Sequence, residues 1–189
     1  MHSQLLAILA ADPMRMDVLR QVKALDLPDC WVAAGFVRSA VWDHLHQLPN
    51  STPLADIDVV WFDPDRARAE VDAQFEHAFQ QMNSGHNWSV KNQARMHLGN
   101  GDQPYTCVTG AMRHWPETAT AVAVRLGSDD QIEIAAPYGL DDLFNLIVRP
   151  TAKFAAEKKP IYTQRQRSKN WAALWPALRF VESPPDSRM

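Results

Sequence analysis

The residues best suited to chemistry are two carboxylates, Asp56 and Asp58, in the run Asp56-Ile57-Asp58-Val59-Val60-Trp61-Phe62. The run is rich in strand formers, and side chains two apart on a strand leave the same face of the sheet. Unpaired neighbouring carboxylates repel, and a divalent cation between them removes the conflict. The competing reading is a solvated strand face, where alternation sends acids outward. Upstream, Trp31-Val32-Ala33-Ala34-Gly35-Phe36-Val37-Arg38-Ser39 reads as a strand that breaks at Gly35 and turns into a helix. A glycine there lets backbone N–H groups and a helix N-terminus approach a phosphate. Ser39 would serve as a donor and Arg38 as countercharge. The plainer reading is a glycine packing helix on strand, with Arg38 on the surface. A phosphate cradle followed by a metal-binding acidic pair is the apparatus of nucleotidyl transfer, run on magnesium or manganese ions.

Further candidates surround these. Glu133, in Gln131-Ile132-Glu133-Ile134, is the third carboxylate if its strand neighbours the Asp strand. Otherwise it is an outward acid on an edge hairpin. Lys91 and Arg95 crowd a strand-to-helix junction, where they could steady a triphosphate as its leaving group gains charge, or simply be solvated. Arg165, Arg167 and Lys169 form a basic stripe that reads as a solvated helix face. The seven histidines show no ligand spacing. No Ser-His-Asp cue and no GxxxxGK[ST] run occurs, which weighs against hydrolase and P-loop chemistry.

The elements that must position these groups can be read in outline. Asp12-Pro13 supplies a cap and a first-turn proline for a helix whose Val18, Leu19, Val22 and Leu25 form an apolar stripe. Strands are expected at 30–34, 57–62 and 88–91, and as a hairpin, 120–126 with 131–135, turning at Gly127-Ser128-Asp129-Asp130. Helices are expected at 3–11, 36–47, from Asp63-Pro64 to about Met82, over 139–147, and as one long helix from Tyr162 to Trp175. The class is α/β (α+β), a small mixed sheet flanked by helices. Residues 1–150 form the expected catalytic domain and 151–189 a helical extension packed on it.

At 189 residues, 46% hydrophobic and 22% charged, the chain has enough apolar content for one full core. The net charge of −3 argues against a broad nucleic-acid footprint. Cys30 and Cys107 lie far apart, so neither a disulfide framework nor a zinc knuckle is implied, and a cytoplasmic setting is expected. The apolar run Leu5 to Ala11 lacks a basic leader, and no stretch is long enough to cross a bilayer.

These segments together resemble the polymerase-β-type nucleotidyltransferase superfamily, in particular a small bacterial branch of about this length. The branch likeness runs from Trp31–Arg38 through Asp56–Val60 to Trp171 and Trp175-Pro176, and includes Val90–His97 and Ala136–Leu143. A looser likeness is to the head of CCA-adding and poly(A) polymerases. There a GGxVRD segment precedes a DxD strand, and a P-F-G-G-x-x-D-L segment follows. The counterparts here are Ala34–Ser39, Asp56-Ile57-Asp58 and Pro137–Leu143, running to Val148-Arg149. The resemblance implies a mixed sheet, magnesium at Asp56 and Asp58, and a nucleoside triphosphate as donor. Ser39 stands where that motif has an acid, Ala34 replaces its first glycine, and in the CCA-type alignment the third acid falls nearer Ser89 than Glu133. The chain stops where those enzymes continue into RNA-gripping helices, and its charge is mildly acidic, so tRNA or DNA is not the expected acceptor. A small hydroxyl- or phosphate-bearing molecule or a protein side chain is. Two rivals accompany this expectation. One is a nucleotide-binding module that has lost turnover. The other is a protein-interaction module, marked by an exposed apolar patch around Trp171 and Trp175.

Overall fold

The computed structural model describes residues 1–184. Helices α1 (His2–Ala10) and α2 (Pro13–Ala24) lead into strand β1 (Trp31–Ala33) and helix α3 (Gly35–Leu45). The Asp12 side chain accepts from the Arg15 N–H at 3.1 Å, the cap expected before Pro13. Next come β2 (Ile57–Trp61), a single 3-10 turn at Pro64–Arg66, α4 (Ala69–Met82), β3 (Trp88–Asn92) and α5 (Gln93–Asn100). Helix α6 (Val108–Met112) and a second 3-10 turn at Thr118–Thr120 precede the hairpin β4 (Ala123–Leu126) and β5 (Ile132–Ala135). The chain ends with α7 (Asp141–Phe144), β6 (Ile147–Val148), α8 (Ala152–Ala155), α9 (Lys159–Lys169), α10 (Trp171–Leu174) and β7 (Arg179–Phe180).

Five strands form one mixed sheet in the order β3-β2-β1-β4-β5. Only β2 and β3 run parallel, joined by the crossover through α4, which suits a parallel connection. Ile57, Val59 and Trp61 point into the larger core beneath α1–α4, whereas Val60 faces a thinner layer with Trp31, Ala33, Val108 and Met112. By alternation Asp58 shares that second face. The row crossing the sheet at Asp58 reads Ser89, Asp58, Ala33, Ala123, Ala135. Small residues, Ser89 and Ala33, thus stand on either side of the one acid, while Ala33, Ala123 and Ala135 lie buried under the Val108–Met112 layer.

The hairpin turns at Gly127, whose N–H donates to the Gln131 carbonyl at 2.8 Å. It docks against β1, so β1 and β4 separate β5 from β2. The expected adjacency of Glu133 and the Asp strand is therefore corrected: β5 is an edge strand three places away. Two helices also differ from expectation. The 139–147 segment keeps one turn, α7, before Leu146 takes φ 57° and the chain extends into β6. The long last helix breaks at Asn170 (φ 45°, ψ 40°), the left-handed conformation asparagine tolerates at a helix C-terminus.

That break turns Trp171 and Trp175 inward. Both are buried, with ring centroids 5.5 and 5.1 Å from that of Trp42 on α3. The Trp175 indole N–H donates to Asp43 at 2.8 Å. The apolar patch expected of an interaction module is therefore absent at these residues; they lock α9 and α10 onto α3. Strand β7 pairs in parallel with β6 and clips the chain back onto the body. Residues 185–189 of the expected extension lie outside the described residues. Among the described residues no helix is long and apolar enough to cross a membrane.

Candidate active site

The β1–α3 junction is built on Ala34, which sits at φ 53°, ψ −116°. Its carbonyl accepts from the N–H groups of Val37 (3.1 Å) and Arg38 (2.9 Å), and its own N–H donates to Val122 O at 2.9 Å. The amides of Gly35 and Phe36 therefore open the helix ahead of its own carbonyl ladder, as first-turn amides do. A Cβ at Gly35 would stand 3.4 Å from Arg38 Nη2, so the bare glycine lets the guanidinium fold back over the turn.

Arg38 is not on the surface. Its guanidinium carbon lies 4.5 Å from the Trp171 ring centroid and 5.1 Å from that of Trp42, held between two indoles. Its Nε is buried without a hydrogen-bond partner among the described residues. Burial pushes its pKa down to about 10; Glu117, Asp58 and Asp56 oppose that shift and Arg165 adds to it. It is still a cation at neutral pH. Ser39, buried at 3% exposure, lines the same recess of about 180 Å³ with Gly35, Asp56 and Lys169.

Asp56 is exposed just before β2, and Asp58 is half-buried within it. Burial, and then the charge of Asp56, holds the Asp58 carboxyl above its ordinary range; Ser89, Lys169 and Arg38 pull the other way. Ser89 is paired directly across from Asp58 on β3, where its hydroxyl favours the ionised carboxylate. No cluster of three or more His, Cys, Asp or Glu side chains is placed to hold a metal among the described residues. Two neighbouring carboxylates, with Asp58 held above its ordinary range, are nevertheless a fit for magnesium, which binds through one or two carboxylates and takes its other ligands from water and phosphate oxygens.

Asp58 borders a second recess, of about 240 Å³, with Val60, Lys91, Met96, Trp115 and Arg165. Helix α9 serves both recesses, because Arg165 and Lys169 are one turn apart. Arg165 is fixed by Glu117, a fully buried carboxylate that it contacts at 2.7 and 3.3 Å.

Asp56, Gly35, Arg38 and Ser39 therefore lie around one recess, and Asp58 and Lys91 around the next. Two expected residues do not join them. Arg95 is spent on the buried Asp72, to which its Nε donates at 2.9 Å; Asp72 also accepts from Trp61 Nε1 and the Asn92 N–H at 2.9 Å each. That is a tie between α4, β2, β3 and α5 rather than a phosphate contact. Glu133 pairs with Arg125 at 2.6 Å and lies over Gly127, on the far edge of the sheet. The sequence reading passed over Lys169 and Arg165 as a solvated stripe, and Glu117 altogether. Their only sequence signal was the four-residue spacing of the two cations just before a tryptophan.

Comparison with known proteins agrees with this architecture. The family described as nucleotidyltransferase matches residues 20–180. The chain is 34% identical to a protein whose NMR structure reveals a CCA-adding enzyme head domain, with a TM-score of 0.86 and 96% of each chain covered. A CCA-adding enzyme solved with CTP is 17% identical, with a TM-score of 0.60. Thermotoga maritima CCA-adding enzyme complexed with tRNA is 18% identical, with a TM-score of 0.57. The alignments cover 95% and 96% of this chain but only 43% and 42% of those two, so the likeness is to the fold of less than half of each. No curated protein sequence matches. A family match spanning most of the chain, on a mixed sheet shared with a CCA-adding enzyme head, shows a polymerase-β-type relationship: the chain belongs to the nucleotidyltransferase family.

Proposed function

We propose that the protein transfers a nucleoside monophosphate from a nucleoside triphosphate to an acceptor, with magnesium or manganese held by Asp56 and Asp58. The observation that carries this reading is the pairing of opposite surpluses. Asp56 lines one recess with Arg38 and Lys169, its neighbour Asp58 borders the next, and neither cation has a carboxylate partner among the described residues. A triphosphate with its metal satisfies both surpluses at once. When bound, the metal would shield the phosphate charges and favour departure of pyrophosphate. The chain's own residues do the rest. Amides of Gly35 and Phe36 and the Ser39 hydroxyl can donate to phosphate oxygens, the stacked Arg38 supplies a fixed charge, and Lys169 closes the outer side.

The test is a calorimetric titration with each of four nucleoside triphosphates, with and without magnesium, on wild type and on Asp56→Asn/Asp58→Asn. CTP is the first choice, because a CCA-adding enzyme of this fold was solved with it. Binding that requires magnesium and vanishes in the double variant, with an unchanged circular dichroism spectrum, supports the reading. Identical titrations of the two proteins would make the pair a solvated strand face and end it. One observation favours a second reading, a binding module without turnover. Ser39 stands where the CCA-type motif has an acid, and the third acid of that pattern falls near Ser89, which would give magnesium-tightened binding with no pyrophosphate released.

A further inference from the structure

The recess beyond Asp58 differs in kind from the one that holds Arg38. Its walls are apolar over Val60, Met96, Trp115 and Pro116. Its two cations are already neutralised: Lys91 contacts Glu76 at 2.7 Å, and Arg165 contacts the buried Glu117 at 2.7 Å. Its two amides, Gln93 and Asn100, each have one N–H committed. Gln93 Nε2 donates to Lys91 O at 3.1 Å and Asn100 Nδ2 to the Tyr105 hydroxyl at 3.2 Å, and their side-chain oxygens can accept. A phosphate here would meet Asp58 with no free cation to offset it. A neutral ring bearing hydroxyl groups would find apolar walls, the Trp115 indole and two accepting oxygens.

The placement matters as much as the chemistry. Displacement at phosphorus runs in line, with the attacking oxygen entering opposite the leaving group. The Arg38 recess, with its unpartnered cations, suits the leaving pyrophosphate; Asp56 lines that recess, and Asp58, two residues on, lines the other. We infer that the Val60–Met96–Trp115 recess is the acceptor subsite, and that the acceptor is a small, uncharged, ring-bearing alcohol. This rests on the transferase reading above. In the step so defined, the acceptor hydroxyl oxygen forms a bond to the α-phosphorus. The bond from that phosphorus to the α,β-bridging oxygen breaks, pyrophosphate leaves with the electron pair, and the hydroxyl proton passes to water.

The test is an NMR titration of the full chain, following the Trp115 indole N–H, the Met96 methyl and the Arg38 side chain. The probes are benzyl alcohol, uridine and adenosine, each beside its phosphate monoester, and CTP with magnesium. The neutral alcohols are expected to shift Trp115 and Met96. Trp115→Leu, which keeps apolar cover on the sheet, is expected to weaken them about tenfold while CTP binding stays unchanged. The inference is overturned if no neutral alcohol shifts these two residues, or if a phosphate monoester binds there more tightly than its alcohol. It is equally overturned if the cytosine of CTP is what shifts Trp115, since the recess would then be a base pocket. If CTP with magnesium leaves Arg38 undisturbed, the transferase reading is what fails, and the separate resonances keep the two failures apart.

Discussion

Asp58 carries a conflict that its environment leaves unresolved. It is half-buried, faces Asp56, and its carboxyl is held above the ordinary range by burial first and by that neighbour second. A raised carboxyl pKa means that the folded state binds the proton more tightly than the unfolded chain does. The stability so gained is fully present below the unfolded pKa and is lost as pH rises through the folded one. Without metal, Asp58→Asn should therefore stabilise the protein at neutral pH. Relief of about 1 kcal/mol would raise Tm by roughly 2–4 °C for a chain of this size. The check is a pair of melting curves in chelator at pH 7 and near pH 4, where the advantage should shrink; a variant that melts lower at pH 7 would show that the carboxylate is not strained. Residue identities alone pointed to Asp56, Asp58 and Gly35 as candidates, because period-two alternation and a glycine at a strand end are local facts. The fate of Arg95 was hidden, since its partner Asp72 is 23 residues away and reaches it only through packing of α4 on β3.

At the scale of elements, the β1–α3 junction is the part under backbone strain. Ala34 occupies φ 53°, ψ −116°, where a Cβ is unwelcome and glycine is at ease. Ala34→Gly should stabilise by about 1 kcal/mol, the strain relieved less the added freedom of the unfolded chain. A Tm higher by roughly 2–4 °C would confirm it, and no change would place the strain elsewhere. The strands, α2 with its Asp12 cap and α3 were legible from periodicity and capping. The order of strands was not. Alternation in 131–135 identifies a strand with an inner and an outer face, but it does not say that the hairpin docks on β1 rather than β2. The stop at Asn170 was missed for a related reason: the left-handed turn there is driven by burial of Trp171 and Trp175 against Trp42, contacts more than a hundred residues apart.

For the whole molecule, the joint that matters is Glu117 with Arg165. Glu117 is fully buried and also accepts from Thr120 at 2.9 Å, while its segment bridges to Pro150. It ties α9 to the body at the point where α9 presents Arg165 and Lys169 to the two recesses. Glu117→Gln should cost about 2 kcal/mol, less than a fully dry pair because Arg165 is 29% exposed. It should also weaken magnesium-dependent triphosphate binding without touching Asp56 or Asp58. Melting curves and titrations on the same sample check both effects, and a loss of stability with unchanged binding would separate α9 from the site.

The two halves of the charge arrangement lie at opposite ends of the sequence: the acids and the glycine turn at 35–58, and Lys169 and Trp171 more than a hundred residues later. During synthesis the strand carrying Asp56 and Asp58 leaves the ribosome first. Arg38 gains its second indole only when Trp171 has emerged, and β6 finds its partner only with Arg179 and Phe180. A nascent chain thus carries the acidic pair beside a recess that still lacks Lys169 and Trp171. The recess proposed to hold a triphosphate is therefore completed only late in synthesis, when Lys169 and Trp171 join Arg38.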